Sequence, residues 1–197
     1  MGFNMSIVTQ LTTSKDRIEF LLKNYPSLRD DDKKLWISYL VMFHGLQDIL
    51  MMPQPFDALC NLLLTQDVVK AESIRRVRQK LQEQGSYKKN KKVELQKNAY
   101  NVKNRVEHLL KNYSALRDND TQLWLAYLTM FHGLKEKINE SVNAYEEFCN
   151  IILDDAVPAI ETVRRTRQGI QEQGLYEGVK RKQRLREAKK VSAWARS

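Results

Sequence analysis

Arginine and glutamine are the side chains best shaped to hold phosphates and read base edges. One offers a planar fork of donors, the other an amide with a donor side and an acceptor side. The chain sets them close together at Arg75-Arg76-Val77-Arg78-Gln79 and again at Arg164-Arg165-Thr166-Arg167-Gln168. The surrounding stretches, Glu72–Gly85 and Glu161–Gly174, both close on Gln-Glu-Gln-Gly. Each predicts one helix. Ile74, Val77 and Leu81 recur at i, i+3 and i+7 and fall on one face. Gly85 and Gly174 stand where a helix end needs positive φ. At about 100° per residue, the opposite face carries Arg75, Arg76, Gln79 and Glu83, while Arg78 lies nearer the apolar stripe. The second copy presents Arg164, Arg165 and Gln168, with Arg167 on its flank. Two readings follow. One is a nucleic-acid-binding face. The other is a solvated helix face, which Glu72 and Glu83 on the same side favour.

The elements that must position these residues are also duplicated. Arg17–Tyr25 and Arg105–Tyr113 predict a first helix. Leu28-Arg-Asp-Asp-Asp32 and Leu116-Arg-Asp-Asn-Asp120 follow, and their acids suit an N-cap and first turn. A divalent-cation site is the weaker reading, since the cluster lacks the glycine and terminal glutamate of a calcium loop. Leu35–Leu46 and Leu123–Leu134 predict a second helix whose Trp36, Tyr39, Leu40 and Phe43 form a core stripe. His44 and His132 fit a helix C-terminus better than a metal, because one His and one Cys per repeat fall short of a zinc ligand set. Residues 47–55, with Pro53 and Pro55, read as a loop one residue different in length from its counterpart near Asn139–Ala144. Phe56–Leu64 and Tyr145–Leu153 predict a short apolar helix. A connector then leads to the Arg-rich helix.

Between Asp16–Gly85 and Asn104–Gly174, 33 of about 70 aligned positions are identical, which is a tandem duplication. The expected fold is all-α. It comprises a lead-in (1–15), a first helix-turn-helix-like repeat (16–85), a basic linker helix (86–103), a second repeat (104–174) and a basic helical tail (175–197). The two cysteines, Cys60 and Cys149, occupy one equivalent position, which argues against a disulfide framework. No stretch approaches the length of a membrane span and no secretory signal is visible, so a soluble intracellular protein is expected.

The net charge of +9 is unevenly spread. Residues 16–85 hold ten basic and ten acidic side chains, and residues 104–174 eight and eleven. Residues 86–103 hold six lysines against one glutamate, and residues 175–197 eight basic side chains against two glutamates. The excess therefore sits in the two segments that follow the Arg-rich helices. There Lys88, Lys89, Lys91 and Lys92, and Lys180, Arg181, Lys182 and Arg184, are candidate phosphate contacts. The tail carries a thin stripe of Leu185, Ala188, Val191 and Trp194, too sparse to favour membrane binding.

The segment Glu161-Thr-Val-Arg-Arg-Thr-Arg-Gln-Gly-Ile-Gln-Glu172, preceded by an apolar helix and by Leu116–Leu128, resembles small uncharacterised proteins of tailed bacteriophages and prophages. Those are usually one repeat long. The resemblance covers each repeat once, and the chain departs from it by its duplication and its long basic tail. It implies a phage origin and a host-cytoplasm setting, and brings no established activity.

No Gly-rich phosphate loop, nucleophile–His arrangement or HExxH spacing is present, so no catalytic residue, metal or cofactor is assigned and an enzyme is not expected. The expected function is regulatory binding of double-stranded DNA through two helix-turn-helix-like repeats. Arg75, Arg76, Gln79, Arg78, Arg164, Arg165, Gln168 and Arg167 would face the groove, and a homodimer would change the spacing of the half-sites. The alternative is a phage inhibitor that binds a host protein or nucleoprotein complex.

Overall fold

The computed structural model describes residues 11–65, 68–87, 99–179 and 183. The described chain is all-α. The first copy contributes α1 (Ser14–Asn24), a 3-10 turn (Pro26–Leu28), α2 (Asp32–His44), α3 (Leu46–Ile49), α4 (Pro55–Leu64) and α5 (Ala71–Glu83). The second contributes α6 (Ala99–Asn112), a 3-10 turn (Ser114–Asp118), α7 (Asp120–His132), α8 (Leu134–Glu140), α9 (Ala144–Leu153) and α10 (Ile160–Glu172).

Local chemistry sets the helix ends. Thr13 caps α1 by accepting from the Asp16 amide. Asp31 caps α2 by accepting from the amides of Lys33 and Lys34, and Asn119 does the same for Thr121 and Gln122. So the acidic cluster supplies a cap, as its sequence position suggests. His44 and His132 are the last residues of α2 and α7, each followed by a glycine at positive φ. The chain does not become a loop there. Gly45, at φ +62, turns it into a new helix, and Leu46, Leu134 and Ile138 are driven to complete burial. The segment read as a loop from residue 47 therefore begins as α3. In the second copy α8 runs on to Glu140. The helix predicted to start near residue 104 begins at Ala99, inside the expected linker.

The chain divides into two compact units that cut across the repeats. One comprises residues 1–96 and 133–159, the other residues 97–132 and 160–197. In the first unit α5 packs on α1 and α2, around Ile18, Leu21, Leu22, Leu35, Tyr39, Leu40, Ile74 and Leu81. In the second, α10 packs on α6 and α7, around Val106, Leu109, Leu110, Tyr127, Leu128, Val163 and Ile170. This differs from the helix-turn-helix layout expected from the order of elements. In the first unit the Arg-rich helix lies on the first two helices, and the short apolar helix before it goes elsewhere. That helix, α4, packs on α8, and α8 packs on α9. It is α9, from the second copy, that rests on α2. Lys33 fastens this contact, its Nζ donating to the carbonyls of Asp154 and Val157, each at 2.8 Å.

Candidate nucleic-acid interface

The helical register of α5 settles where its arginines go. Glu72, one turn before Arg75 and Arg76, accepts from both. Arg75 donates through Nε and Nη2 at 2.7 and 2.8 Å, and Arg76 through Nε at 2.7 Å. Glu161 holds Arg164 and Arg165 in the same way, at 2.6 to 2.7 Å. Hydrogen bonds from Arg75, working against burial and joined by those from Arg76, hold the Glu72 carboxyl down at about 2. Two guanidiniums share one carboxylate, so the trio keeps a net positive charge. Arg76 and Arg165 carry it outward, with side chains 69% and 65% exposed against 25% and 27% for Arg75 and Arg164. Gln79 and Gln168 are half-buried.

Arg78 and Arg167, expected among the nucleic-acid contacts, are turned inward. Arg78 is 3% exposed. Its Nε donates to Asp32 at 2.9 Å and its Nη1 to the carbonyl of Arg29. Gln82 completes the arrangement, its Nε2 donating to the carbonyls of Arg29 at 2.9 Å and Tyr87 at 3.1 Å. Arg29 lies over the Tyr87 ring, 5.3 Å from its centre. The second copy repeats every piece. Arg167 reaches Asp120 and the Arg117 carbonyl. Gln171 reaches the carbonyls of Arg117 and Tyr176, and Arg117 lies 5.7 Å from the centre of the Tyr176 ring. The reason is positional. A residue one turn above Ile74 points toward α2, and a guanidinium brought there must satisfy its donors on the acceptors that α2 and the turn before it offer.

This clamp also fixes where the chain goes after the Arg-rich helix. Gly85 and Gly174 reverse it at φ +84 and +79. Tyr87 and Tyr176 then adopt φ +55 and +50, a conformation that non-glycine residues visit uncommonly. In the second copy Asp118 takes a further hold, accepting from the Val179 amide at 2.8 Å. Gly178 passes so close to Asp118 that a Cβ there would meet its Oδ1 at 2.0 Å.

Gln82, Arg29 and Tyr87, with their counterparts, were not singled out from sequence, and Asp32 and Asp120 were read only as capping acids. The available signal was their identity in both copies. The proposed phosphate contacts Lys88, Lys89, Lys91, Lys92, Lys180, Arg181, Lys182 and Arg184 lie outside the described residues. Among the described residues, no group of three or more His, Cys, Asp or Glu could hold a metal ion, and no helix is long and apolar enough to cross a membrane. No family model matches the chain, and no curated protein or solved structure matches it either.

Proposed function

We propose that the chain is a non-catalytic, nucleic-acid-binding protein that grips the phosphate backbone chiefly through the two basic segments after α5 and α10. Arg76 and Arg165 add to that grip from the helices. The carrying observation is the clamp. It anchors the first residues of both segments, Tyr87 and Tyr176, to the body of each repeat. The charge lies just beyond, with six lysines against one glutamate in residues 86–103 and eight basic side chains against two glutamates in residues 175–197. Anchoring lowers the entropy lost when a charged segment settles on its partner. Because Arg78 and Arg167 are committed to the clamp, backbone binding is favoured over base reading, and weak sequence preference is expected. The phage resemblance of the Arg-rich helix would place this activity in an infected host.

Fluorescence anisotropy of random duplex DNA across a salt series tests the reading. Five or six phosphate contacts give a log–log slope of roughly −5. Replacing Lys88, Lys89, Lys91, Lys92, Lys180, Arg181, Lys182 and Arg184 with alanine should abolish most binding. The Arg76→Ala, Arg165→Ala double variant should reduce the slope by about 2. Absence of micromolar binding at low salt would overturn the proposal.

A further inference from the structure

The clamp leaves two cations unmatched. Arg29 donates through Nε to the Leu22 carbonyl at 2.9 Å, and Arg117 donates through Nε to the Leu110 carbonyl at 2.9 Å. Both arginines are half-buried. Among the described residues neither meets a carboxylate, and neither donates through its two terminal amino groups. The other arginines of the clamp and the Arg-rich helices are all paired, with Glu72, Asp32, Glu161 or Asp120. A guanidinium fixed at Nε, with the rest of its fork unused, suits one phosphate.

Against each arginine lies a tyrosine ring, that of Tyr87 in the first copy and that of Tyr176 in the second. Both tyrosines are only half-buried. Both stand at positive φ, with the carbonyl held by Gln82 or Gln171. A bulky residue keeps such a backbone only where its surroundings impose it, and positions of that kind concentrate at ligand sites. The Tyr87 hydroxyl donates to Glu19 at 3.3 Å, so recognition falls to the face of the ring. An aromatic face beside an unused cationic fork can hold a base by stacking and its phosphate by charge. Each pair also sits at the root of a basic run. In a duplex the faces of a base are covered by its neighbours, and only an unpaired base offers one.

We infer that Arg29 with Tyr87, and Arg117 with Tyr176, each hold one unpaired nucleotide, the base on the ring and the phosphate on the fork. The preferred partner is then single-stranded nucleic acid. This inference rests on the nucleic-acid reading and narrows it. The basic runs attract any strand, and the two Arg–Tyr pairs select an unpaired one.

The test uses the full chain, a fluorescent oligothymidylate and a blunt duplex of the same length, each titrated across a salt series. The expected result is tighter binding of the single strand, with part of that affinity persisting at high salt because stacking releases no counterions. Tyr87→Leu, Tyr176→Leu should weaken single-strand binding at least about tenfold and leave duplex binding within about twofold. Tyr87→Phe, Tyr176→Phe keeps the ring and should keep the preference. Arg29→Lys, Arg117→Lys keeps the charge but loses the fork, and should also weaken the single strand selectively. Circular dichroism checks that each variant is folded. Photocross-linking of an iododeoxyuridine-substituted strand should mark Tyr87 and Tyr176. Equal affinity for strand and duplex, or a preference indifferent to the leucine or the lysine variant, would overturn this inference and leave the phosphate grip standing. So would an equal loss of both affinities in the leucine variant, since the tyrosines would then only anchor the basic runs. Binding of neither probe at low salt would overturn the underlying reading as well.

Discussion

Arg76 and Arg78 are two positions apart in the sequence and opposite in consequence. Arg76 shares Glu72 at the surface, whereas Arg78 is buried and donates to Asp32 and the Arg29 carbonyl. Arg76→Ala should cost no more than about 0.5 kcal/mol, as exposed ion pairs usually do. Arg78→Ala removes a buried guanidinium together with its hydrogen bonds to Asp32 and the Arg29 carbonyl and should cost about 2 kcal/mol. Urea denaturation of the two variants decides, and equal midpoints would show that the clamp is not structural. Glu72 adds a pH dependence of definite sign. Its folded carboxyl ionises near 2, below the ordinary value of 4.5, so the folded state binds protons less readily than the unfolded one. The stabilisation is complete above the ordinary value and is lost as pH falls from there toward 2. Glu72→Gln should remove that part of the acid-induced destabilisation, and a thermal melting series against pH will show whether it does. The sequence already put Arg78 nearer the apolar stripe than its neighbours. What it did not reveal was Asp32, 46 positions away, because partners of that kind are set by tertiary packing and not by helical spacing.

At the scale of elements, period and capping were legible and pairing was not. The Arg-rich helices, their closing glycines and the Asp31 cap follow from patterns within a few residues. The helix α3 was hidden because Pro53 and Pro55 read as a loop, while the drive to bury Leu46 acts through the fold. The placement of α9 on α2 was invisible for the same reason, since each apolar helix carries a face but no label for its partner. The close passage of Gly178 past Asp118 yields a prediction at this scale. Gly178→Ala must displace the Asp118 carboxylate and release the Val179 amide. It should cost about 1 kcal/mol, as loss of an N-cap does, and, under the proposed function, should weaken DNA binding through the tail while leaving that through the linker. A melting curve and the anisotropy assay read the two effects separately. Unchanged affinity in both would show that anchoring the tail does not matter for binding.

The whole molecule is two copies in sequence but two differently composed units in space. A chain ending at residue 96 would hold one complete sequence repeat yet lack α8 and α9, with Ile138, Phe148, Ile151 and Ile152 from the core of its unit. Losing that apolar surface should cost on the order of 5 kcal/mol or more. Such a fragment should unfold far earlier in urea than the intact chain, and a peptide spanning residues 133–159 should restore it in trans. A fragment that unfolds cooperatively at the same midpoint as the intact protein would refute this dependence. Synthesis on the ribosome meets the same discontinuity as a delay. The first unit takes up the chain as far as residue 96 but cannot close until residue 159 has emerged. The 63 residues from 97 to 159 take on the order of 3–13 s to translate. For that interval the nascent chain displays an unfinished apolar surface, so its fate during translation rests on chaperone capture and on codon speed between the two copies.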